Sequence, residues 1–448
     1  MLLTARYVLP VATPHIEHGA VLVRDDKIVE IGDFKQMREL HPDESVRDFG
    51  LAVLMPGFID LHTHLEYSAM RGLVDDLPYS EWKLQLMQKE RQFTSQDWDD
   101  SALLGALEAL QSGITTIADI TRTGSSGHAA QAAGLRATIF REVATMNKSQ
   151  VDAVMERAAA DIDAWRATTG EARITVGIAP HAPYSCHPEL FRRVADYAGD
   201  RTPVAIHLAG SVEEYGFVKY GSSMLATDVR DTFDACAPGW LPTGVSPIRY
   251  VLQWGLFDIP SVLAVHCTQV DDDDIDVLAS HHVSVAHCPR CEAKLGMGVA
   301  PVEKFLRSGV RVGLGTDSPA ASNSMDVFEE MRVGLLVQRA TLGEERFMNA
   351  RQFVKMATLD AARALGMEDR IGSLGPGKQA DIVAVDLSKS HQIPTHHPYS
   401  TLVHTANQEN VLATIIGGDI VYENREWSAL DHERIYARAE DMRMQLRA

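Results

Sequence analysis

The stretch Val53–His64, VLMPGFIDLHTH, is an apolar run that ends in two histidines, His62 and His64. Side chains of a strand alternate between its faces, so residues two apart point the same way from its end. Imidazole is a common ligand of zinc and iron, and a hydrolytic metal needs about three protein ligands with one position open. The pair therefore supplies half of a metal site, or it is merely two hydrogen-bonded histidines at a strand end.

The chain after this stretch has the rhythm of parallel βα units. Strand-like segments rich in β-branched residues alternate with helical segments rich in alanine, leucine and charged residues. Such a pattern predicts an α/β protein built on a (β/α)8 TIM barrel, whose active site lies where the strands end. The predicted strands are 53–61, 113–120, 135–143, 174–180, 203–209, 261–267, 283–288 and 309–318.

The two ends of the chain differ from its middle. Residues 1–52 contain short alternating strands, and residues 371–448 contain a Gly/Pro turn, further strands and a terminal helix. Neither end is long enough to bury a core of its own. We therefore expect both ends to form one small β-sandwich-like domain beside a barrel of residues 53–370.

Composition argues against several classes of protein. The 448 residues carry a net charge of −19, whereas nucleic-acid binding rests on basic patches. No apolar run reaches the ~18 residues of a membrane span, and the N-terminus lacks a secretory signal pattern. We expect a cytoplasmic protein with no nucleic-acid or membrane partner. The cysteines are too few and too scattered for a disulfide framework, since they lie at positions 186, 236, 267, 288 and 291.

Further polar residues fall where the predicted strands end. His207 lies near the end of the fifth strand, His266 near the end of the sixth, and Asp317 ends the eighth. In a barrel they would project into the same mouth as His62 and His64. Each alone has a structural explanation, such as a core histidine or a turn-capping carboxylate, but together they predict a metal site.

Several motifs are similar to those of a known family. PGFIDLHTH, the strand-five histidine, VHC, VAHCP, GLGTDS and the later PGKQADIV and IIGGDIVYENRE resemble the amidohydrolase superfamily. The resemblance is to its cytosine deaminase-like branch, which includes S-adenosylhomocysteine, aminofutalosine and guanine deaminases and chlorotriazine hydrolases. It implies one divalent metal, zinc in preference to iron, on His62, His64, His207 and Asp317. It also implies that Asp317 moves a proton of the metal-activated water and that His266 stabilises the reacting oxygen.

One position departs from this branch. The branch usually reads H-x-x-E after the fifth strand, and that glutamate protonates the ring nitrogen beside the attacked carbon, but here Gly210 stands in its place. Three explanations are open: Glu213 or Glu214 reaches the substrate, another residue protonates it, or the substrate needs no such acid. Either glutamate could equally belong to a solvated helix start.

The resemblance also suggests substrate contacts. Trp82, in LPYSEWK, would pack on the substrate or form a lid contact. Arg141, which ends the third strand, would bind an anionic group or pair with a neighbouring carboxylate such as Glu142. His181, after the fourth strand, is a third candidate, and Glu292, after the seventh, could also reach the pocket.

Together these features predict a mononuclear metal-dependent amidohydrolase that deaminates a purine-like heterocycle or nucleoside. The segment 240–258, WLPTGVSPIRYVLQWGLFD, resembles a loop of aminofutalosine and adenosine-type deaminases, which favours that class. Alternatives are hydrolysis of another C–N or C–Cl bond, as in triazine or cyclic amide hydrolases, and a noncatalytic scaffold, which the retained ligands disfavour. The expected partners are a small heterocyclic substrate and, from the resemblance, a second copy in a homodimer.

Overall fold

The computed structural model describes residues 1–169, 173–223, 225 and 241–447. In chain order, its strands are β1 (Leu2–Val8), β2 (Ile16–Arg24), β3 (Lys27–Asp33), β4 (Val46–Asp48), β5 (Ala52–Pro56), β6 (Phe58–Thr63), β7 (Ile114–Thr121), β8 (Arg136–Val143), β9 (Ile174–Pro180), β10 (Val204–Leu208), β11 (Val262–His266), β12 (Ser284–His287), β13 (Val312–Leu314), β14 (Ile382–Asp386), β15 (Val411–Ile416), β16 (Asp419–Glu423) and β17 (Glu426–Trp427).

The α-helices of the described residues alternate with the barrel strands and extend beyond them. They are α1 (Phe34–Leu40), α2 (Tyr79–Glu90), α3 (Ser95–Gln111), α4 (Ser125–Ala133), α5 (Val151–Thr169), α6 (Pro188–Ala198), α7 (Val212–Tyr220), α8 (Pro247–Leu252), α9 (Asp272–Ser280), α10 (Pro289–Lys294), α11 (Val302–Arg307), α12 (Pro319–Ser322), α13 (Val327–Leu342), α14 (Ala350–Met356), α15 (Leu359–Ala364), α16 (Pro398–His404) and α17 (His432–Arg447). No helix among these residues is both long and apolar enough to cross a membrane.

Strands β6 to β13 form the barrel. They pair in chain order as an eight-stranded parallel sheet, which confirms the predicted TIM-barrel architecture. The sheet nearly closes on itself through a bridge between Thr63 and Asp317, beside which the Asp317 N–H donates to the His62 carbonyl at 2.8 Å. Buried apolar side chains such as Phe140 and Val265 fill the interior, so the barrel is a packed core.

The first predicted strand is wrong in its extent, because residues 53–61 belong to two strands. β5 pairs with β1 and β14 outside the barrel, and only β6 enters it. The chain crosses between the sheets at Gly57, where a Cβ atom would clash with the side chain of Thr115. Both strands are buried throughout, so a continuous apolar run conceals the break between them.

Both termini contribute to the second sheet, as predicted. It has nine strands in the order β17-β16-β15-β14-β5-β1-β2-β3, with β4 paired to β1, and so forms one continuous path of paired strands rather than two separate sheets. At its centre, β5 and β14 are antiparallel and bury Leu54 and Ile382. That the barrel domain extends from residue 53 to residue 370 stays a proposal. In the structure, the chain passes from the terminal sheet to the barrel at Gly57.

Candidate metal centre and active site

Five polar side chains converge at the carboxyl ends of the barrel strands. His62 and His64 come from the end of β6, His207 from β10, His266 from β11, and Asp317 follows β13. The Nε2 atoms of His64 and His207 are 3.3 Å apart, and Asp317 Oδ1 lies 3.5 Å from His62 Nε2 and 3.8 Å from His64 Nε2. The structure thus brings together all five residues that the sequence predicts at the strand ends, and we call these five residues the metal rim.

Hydrogen bonds determine which nitrogen of each histidine faces the centre. Nδ1 of His64 donates to the carbonyl of Ile120 at 2.7 Å, and Nδ1 of His207 donates to the carbonyl of His181 at 2.9 Å. Both rings therefore present an unprotonated Nε2 to the centre. Nε2 of His62 is buried and has no hydrogen-bond partner among the described residues. A divalent metal would satisfy this buried nitrogen, so the donor set fits one.

The charge states of these groups also suit a metal. Burial lowers the pKa of His62 and His207 and lowers that of His64 to about 3, so all three rings are neutral, the form that binds a cation. Burial acts to raise the pKa of Asp317, but the surrounding histidines, His62 first, hold it well below its ordinary value. One carboxylate and three neutral imidazoles are the kinds of oxygen and nitrogen ligand that zinc binds in proteins.

Two buried aspartates, which sequence reasoning missed, hold the rim in place. Asp119 accepts hydrogen bonds from Thr63 Oγ1 at 2.9 Å and from the Leu65 N–H at 2.7 Å. Asp60 accepts the N–H and the hydroxyl of Thr316 at 2.9 Å and 2.5 Å, which ties β6 to the segment that carries the metal-facing carboxylate. The sequence signal for Asp60 is its position two residues before the first rim histidine.

A buried carboxylate lies behind His266. Its Nδ1 lies 3.6 Å from Oε1 of Glu292, and its Nε2 lies 3.9 Å from Oδ2 of Asp317. Glu292 is 1% exposed and also accepts the Cys288 N–H at 2.8 Å and contacts His287 Nδ1 at 2.8 Å. Burial favours a neutral ring, but the Glu292 and Asp317 carboxylates raise the pKa of His266. Glu292 therefore acts on His266 from behind and does not line the cleft.

A cleft opens above the metal rim. Helix α2 and the loops after the strands form its walls, so it is partly aromatic and partly charged. Its apolar and aromatic side chains are Tyr67, Tyr79, Trp82, Leu86, Met87 and Leu295, and its charged side chains beyond the rim are Glu66, Lys83, Arg122 and Glu142. Such a mixture suits a flat, polar small molecule.

Two predicted substrate contacts lie in this cleft. Trp82, on α2, is 6% exposed, and its Nε1–H is buried without a hydrogen-bond partner among the described residues. His181 also lines the cleft, and its Nδ1 lies 2.6 Å from the Ser185 hydroxyl. Both are therefore in place for contact with a ligand, and that role stays a prediction.

Arg141 does not lie in the cleft. Its Nε donates to Asp161 Oδ2 of α5 at 2.8 Å, and its guanidinium lies over the Trp165 ring, so it points to the outside of the barrel. Successive side chains of a strand face opposite ways, and Glu142, the next residue of β8, lines the cleft instead. The prediction of Arg141 as a substrate contact is therefore wrong, and the alternative of an ion pair with a carboxylate holds, with Asp161 as the partner.

Glu213 and Glu214 do not reach the cleft either. Glu214 is buried at the start of α7, where its two carboxylate oxygens accept the backbone N–H groups of Ala209 at 2.8 Å and of Gly210 at 2.9 Å. Burial raises its pKa to about 7. Its place is thus structural, because it closes the loop after the fifth barrel strand. A side chain at Gly210 would be crowded, since a Cβ there would lie 3.2 Å from Cδ2 of His266.

The described cysteines are buried and free. Cys186, Cys267, Cys288 and Cys291 form no disulfide, and the Cys291 thiol donates to Asp317 Oδ2 at 2.8 Å. Two residues that the sequence singled out, Cys236 and Trp240, lie outside the described residues.

This chain is similar to known proteins over nearly its whole length. The model of the Amidohydrolase family matches residues 53–421, and a short stretch, 19–43, matches an imidazolonepropionase-like composite domain of bacteria. The 5-methylthioadenosine/S-adenosylhomocysteine deaminase of Pelotomaculum thermopropionicum is 32% identical over 96% of this chain and 94% of its own length. The protein of the same name from Moorella thermoacetica is 33% identical over 96% of both chains.

A solved structure is similar over the whole fold. The adenosine deaminase from Xanthomonas campestris with bound zinc superimposes with a TM-score of 0.86 and 29% identity, and the match covers 100% of this chain and 98% of that one. The family match extends over most of the barrel and into the terminal sheet. This chain therefore belongs to the amidohydrolase family.

Proposed function

We propose that this chain is a metal-dependent aminohydrolase that removes the amino group from the adenine ring of a purine nucleoside. The proposal is carried by three neutral imidazoles and a carboxylate at the floor of a cleft with aromatic walls. Relatives that align with 96% of the chain are named for 5-methylthioadenosine and S-adenosylhomocysteine, so these two nucleosides are the first candidate substrates.

The metal is assigned to His62, His64, His207 and Asp317 as a single divalent ion, zinc in preference to iron. The unsatisfied Nε2 of His62 and the zinc of the Xanthomonas campestris structure support this assignment. Bound there, the metal would supply Lewis acidity that makes water a nucleophile near neutral pH.

The residues of the chain position and move protons around this centre. The Asp317 carboxylate would accept a proton from the attacking water and pass it to the departing amino group. His266, held by Glu292, would donate a hydrogen bond to the oxygen that adds to the ring. Trp82 would pack on the heterocycle and offer its free Nε1–H to a polar atom of the nucleoside.

Cellular location and assembly are further proposals. A cytoplasmic location is supported by the buried, free cysteines, because structural disulfides mark oxidising compartments. A homodimer is proposed from the family resemblance alone, and sedimentation of the purified protein would test it. The net charge of −19 supports the absence of a nucleic-acid partner.

Ammonia release from a panel of compounds tests the function. The panel contains adenosine, 5′-methylthioadenosine, S-adenosylhomocysteine, aminofutalosine, guanine, cytosine and triazines. We expect release from adenine nucleosides and little from guanine or cytosine. Chloride or alkylamine release from the triazines alone would support the alternative of another C–Cl or C–N bond. No release from any compound by fully metal-loaded protein would refute the proposal.

A further inference from the structure

Deamination of an adenine ring needs a proton on the ring nitrogen next to the attacked carbon, and the fifth barrel strand offers no acid for it. Gly210 has no side chain, and both oxygens of Glu214 are engaged by backbone N–H groups. We propose that Glu142, at the end of β8, is the catalytic residue that donates this proton. The inference rests on the proposed function and names a residue for one of its steps.

The first support is where the side chain points. Phe140, two residues earlier on β8, belongs to the packed interior of the barrel, and the alternation of the strand places Glu142 on the same face. The carboxyl of Glu142 lies within 4.8 Å of ring nitrogens of His181 and His207 and shares the cleft with Asp317. A ring bound over the metal rim would therefore lie within its reach.

The second support is that the carboxyl of Glu142 is not used elsewhere in the described part of the chain. Glu66 accepts hydrogen bonds from Thr121, Arg122 and Thr123, and Glu90 is bonded to Tyr67 and Arg122. No such bond to the Glu142 side chain is present among the described residues, although it faces the same cleft. A half-buried carboxyl with no protein partner is placed to meet a ligand.

Its environment also suits a donor. Burial raises the pKa of Glu142, although Arg122 and Lys83 act in the opposite direction. A carboxyl that is more often protonated is a better proton donor.

The protons balance over one turnover. As the water oxygen bonds to the ring carbon, Asp317 takes one water proton and the Glu142 carboxyl gives its proton to the ring nitrogen. Asp317 then passes its proton to the amino group, and the C–N bond breaks to release ammonia. The remaining O–H proton leaves as the C=O bond forms and returns to the Glu142 carboxylate. Water and the aminopurine become ammonia and the oxopurine, and both carboxyl groups regain their starting states.

The first experiment compares Glu142→Gln with Arg141→Gln, its neighbour on the opposite face of β8. Loss of a general acid should lower kcat by about 10²- to 10⁴-fold. The glutamine amide can still donate a hydrogen bond to the ring nitrogen, so KM should change only a few-fold and metal content should not change. Arg141→Gln should retain kcat within about twofold. A kcat of Glu142→Gln that stays close to that of the control would overturn the proposal.

The second experiment measures binding and does not depend on turnover. The probes are purine ribonucleoside and its 1-deaza analogue, which lacks the ring nitrogen, titrated into metal-loaded wild type and Glu142→Leu. Wild type should prefer the first probe by about three- to tenfold, the worth of one hydrogen bond, and the variant should bind both alike. The role of Glu142 would be refuted if wild type and Glu142→Leu preferred purine ribonucleoside over the 1-deaza analogue by the same factor. It would also be refuted if wild type bound neither probe.

The two experiments separate this inference from the proposed function. If metal-loaded wild type releases no ammonia from any nucleoside, the function is wrong, whatever the probes show. If wild type is active and Glu142→Gln is equally active, the function stands and only the assignment of the acid fails.

Discussion

The metal rim and the wall of the cleft are specified in different ways. The metal rim consists of His62, His64, His207, His266 and Asp317, all at the ends of barrel strands, whose positions follow once the strands are counted. The cleft wall includes Trp82 and Glu142. It consists of side chains of helix α2 and of side chains at the ends of barrel strands. Strand order therefore determines which residues form the metal rim, whereas local side-chain orientation determines which residues face the cleft.

Three rim and loop residues show how closely the barrel controls this geometry. Ala209, His266 and Asp317 each adopt a positive φ, at 50°, 76° and 60°, which is uncommon for residues with a side chain. Each of them follows or ends a barrel strand. The backbone thus turns sharply where the metal-facing side chains leave the sheet.

The largest effect should come from breaking the rim. Asp317→Asn removes the proposed carboxylate ligand and proposed proton carrier together, so bound metal should fall far below one equivalent and kcat should fall by about 10³-fold or more. Metal analysis and ammonia release check both parts. The matched control is Asp43→Asn, an exposed aspartate of the N-terminal segment, which should keep both. Full metal content in Asp317→Asn would disprove its assignment as a ligand.

A smaller effect should follow from the support behind His266. Glu292→Gln removes the charge that holds this ring while it keeps the shape of the side chain. We expect kcat to fall by about 10- to 100-fold, with KM and metal content unchanged. Steady-state kinetics with metal analysis would measure it. Loss of metal in parallel with kcat would instead mean that Glu292 holds the metal rim together.

A change in the cleft wall should alter binding more than chemistry. Trp82→Leu removes an aromatic contact worth about 0.5–1.5 kcal/mol, so KM should rise by roughly two- to tenfold at nearly constant kcat. Trp82→Phe keeps an aromatic ring, so its KM should lie between those of wild type and Trp82→Leu. An unchanged KM in Trp82→Leu would place this side chain outside the substrate contacts.

The least effect on catalysis should come from Glu214, whose role is structural. Burial raises its pKa from 4.5 to about 7 in the folded state, so the folded protein holds this proton more tightly than the unfolded chain. The resulting stabilisation is complete below pH 4.5 and is lost as the pH rises through about 7, on the order of 3 kcal/mol in all. Urea denaturation between pH 5 and pH 8 should show this slope in wild type and a flatter one in Glu214→Gln. Equal slopes would contradict the buried carboxyl.

Much of the fold could be predicted from the sequence because strand-like and helical segments alternate regularly along the chain. Eight strand segments and a pair of strand-rich ends predicted the barrel and the shared terminal sheet, and both are confirmed. The break at Gly57 was not legible, because β5 and β6 are both buried and read as one apolar run. Only pairing with β1 and β14 distinguishes the first of them.

The site was legible only in part, for a similar reason. The rim residues converge as predicted, since each is tied to the end of a counted strand. The charge of Arg141 favours a substrate contact, but strand alternation turns this side chain outward and turns Glu142 inward. The charge of Glu214 likewise favours a role at the substrate, but its carboxylate accepts hydrogen bonds from two backbone N–H groups. Such bonds depend on the loop conformation, which the local sequence does not reveal.

The most direct test of the proposed function is the metal dependence of nucleoside deamination. Ammonia release from 5′-methylthioadenosine and S-adenosylhomocysteine is measured for protein as purified, after chelation, and after addition of about one equivalent of zinc. We predict release that disappears on chelation and returns with the added metal. Release that persists in metal-free protein, or no release from any adenine nucleoside by fully loaded protein, would contradict the assignment of this rim as a deaminase centre.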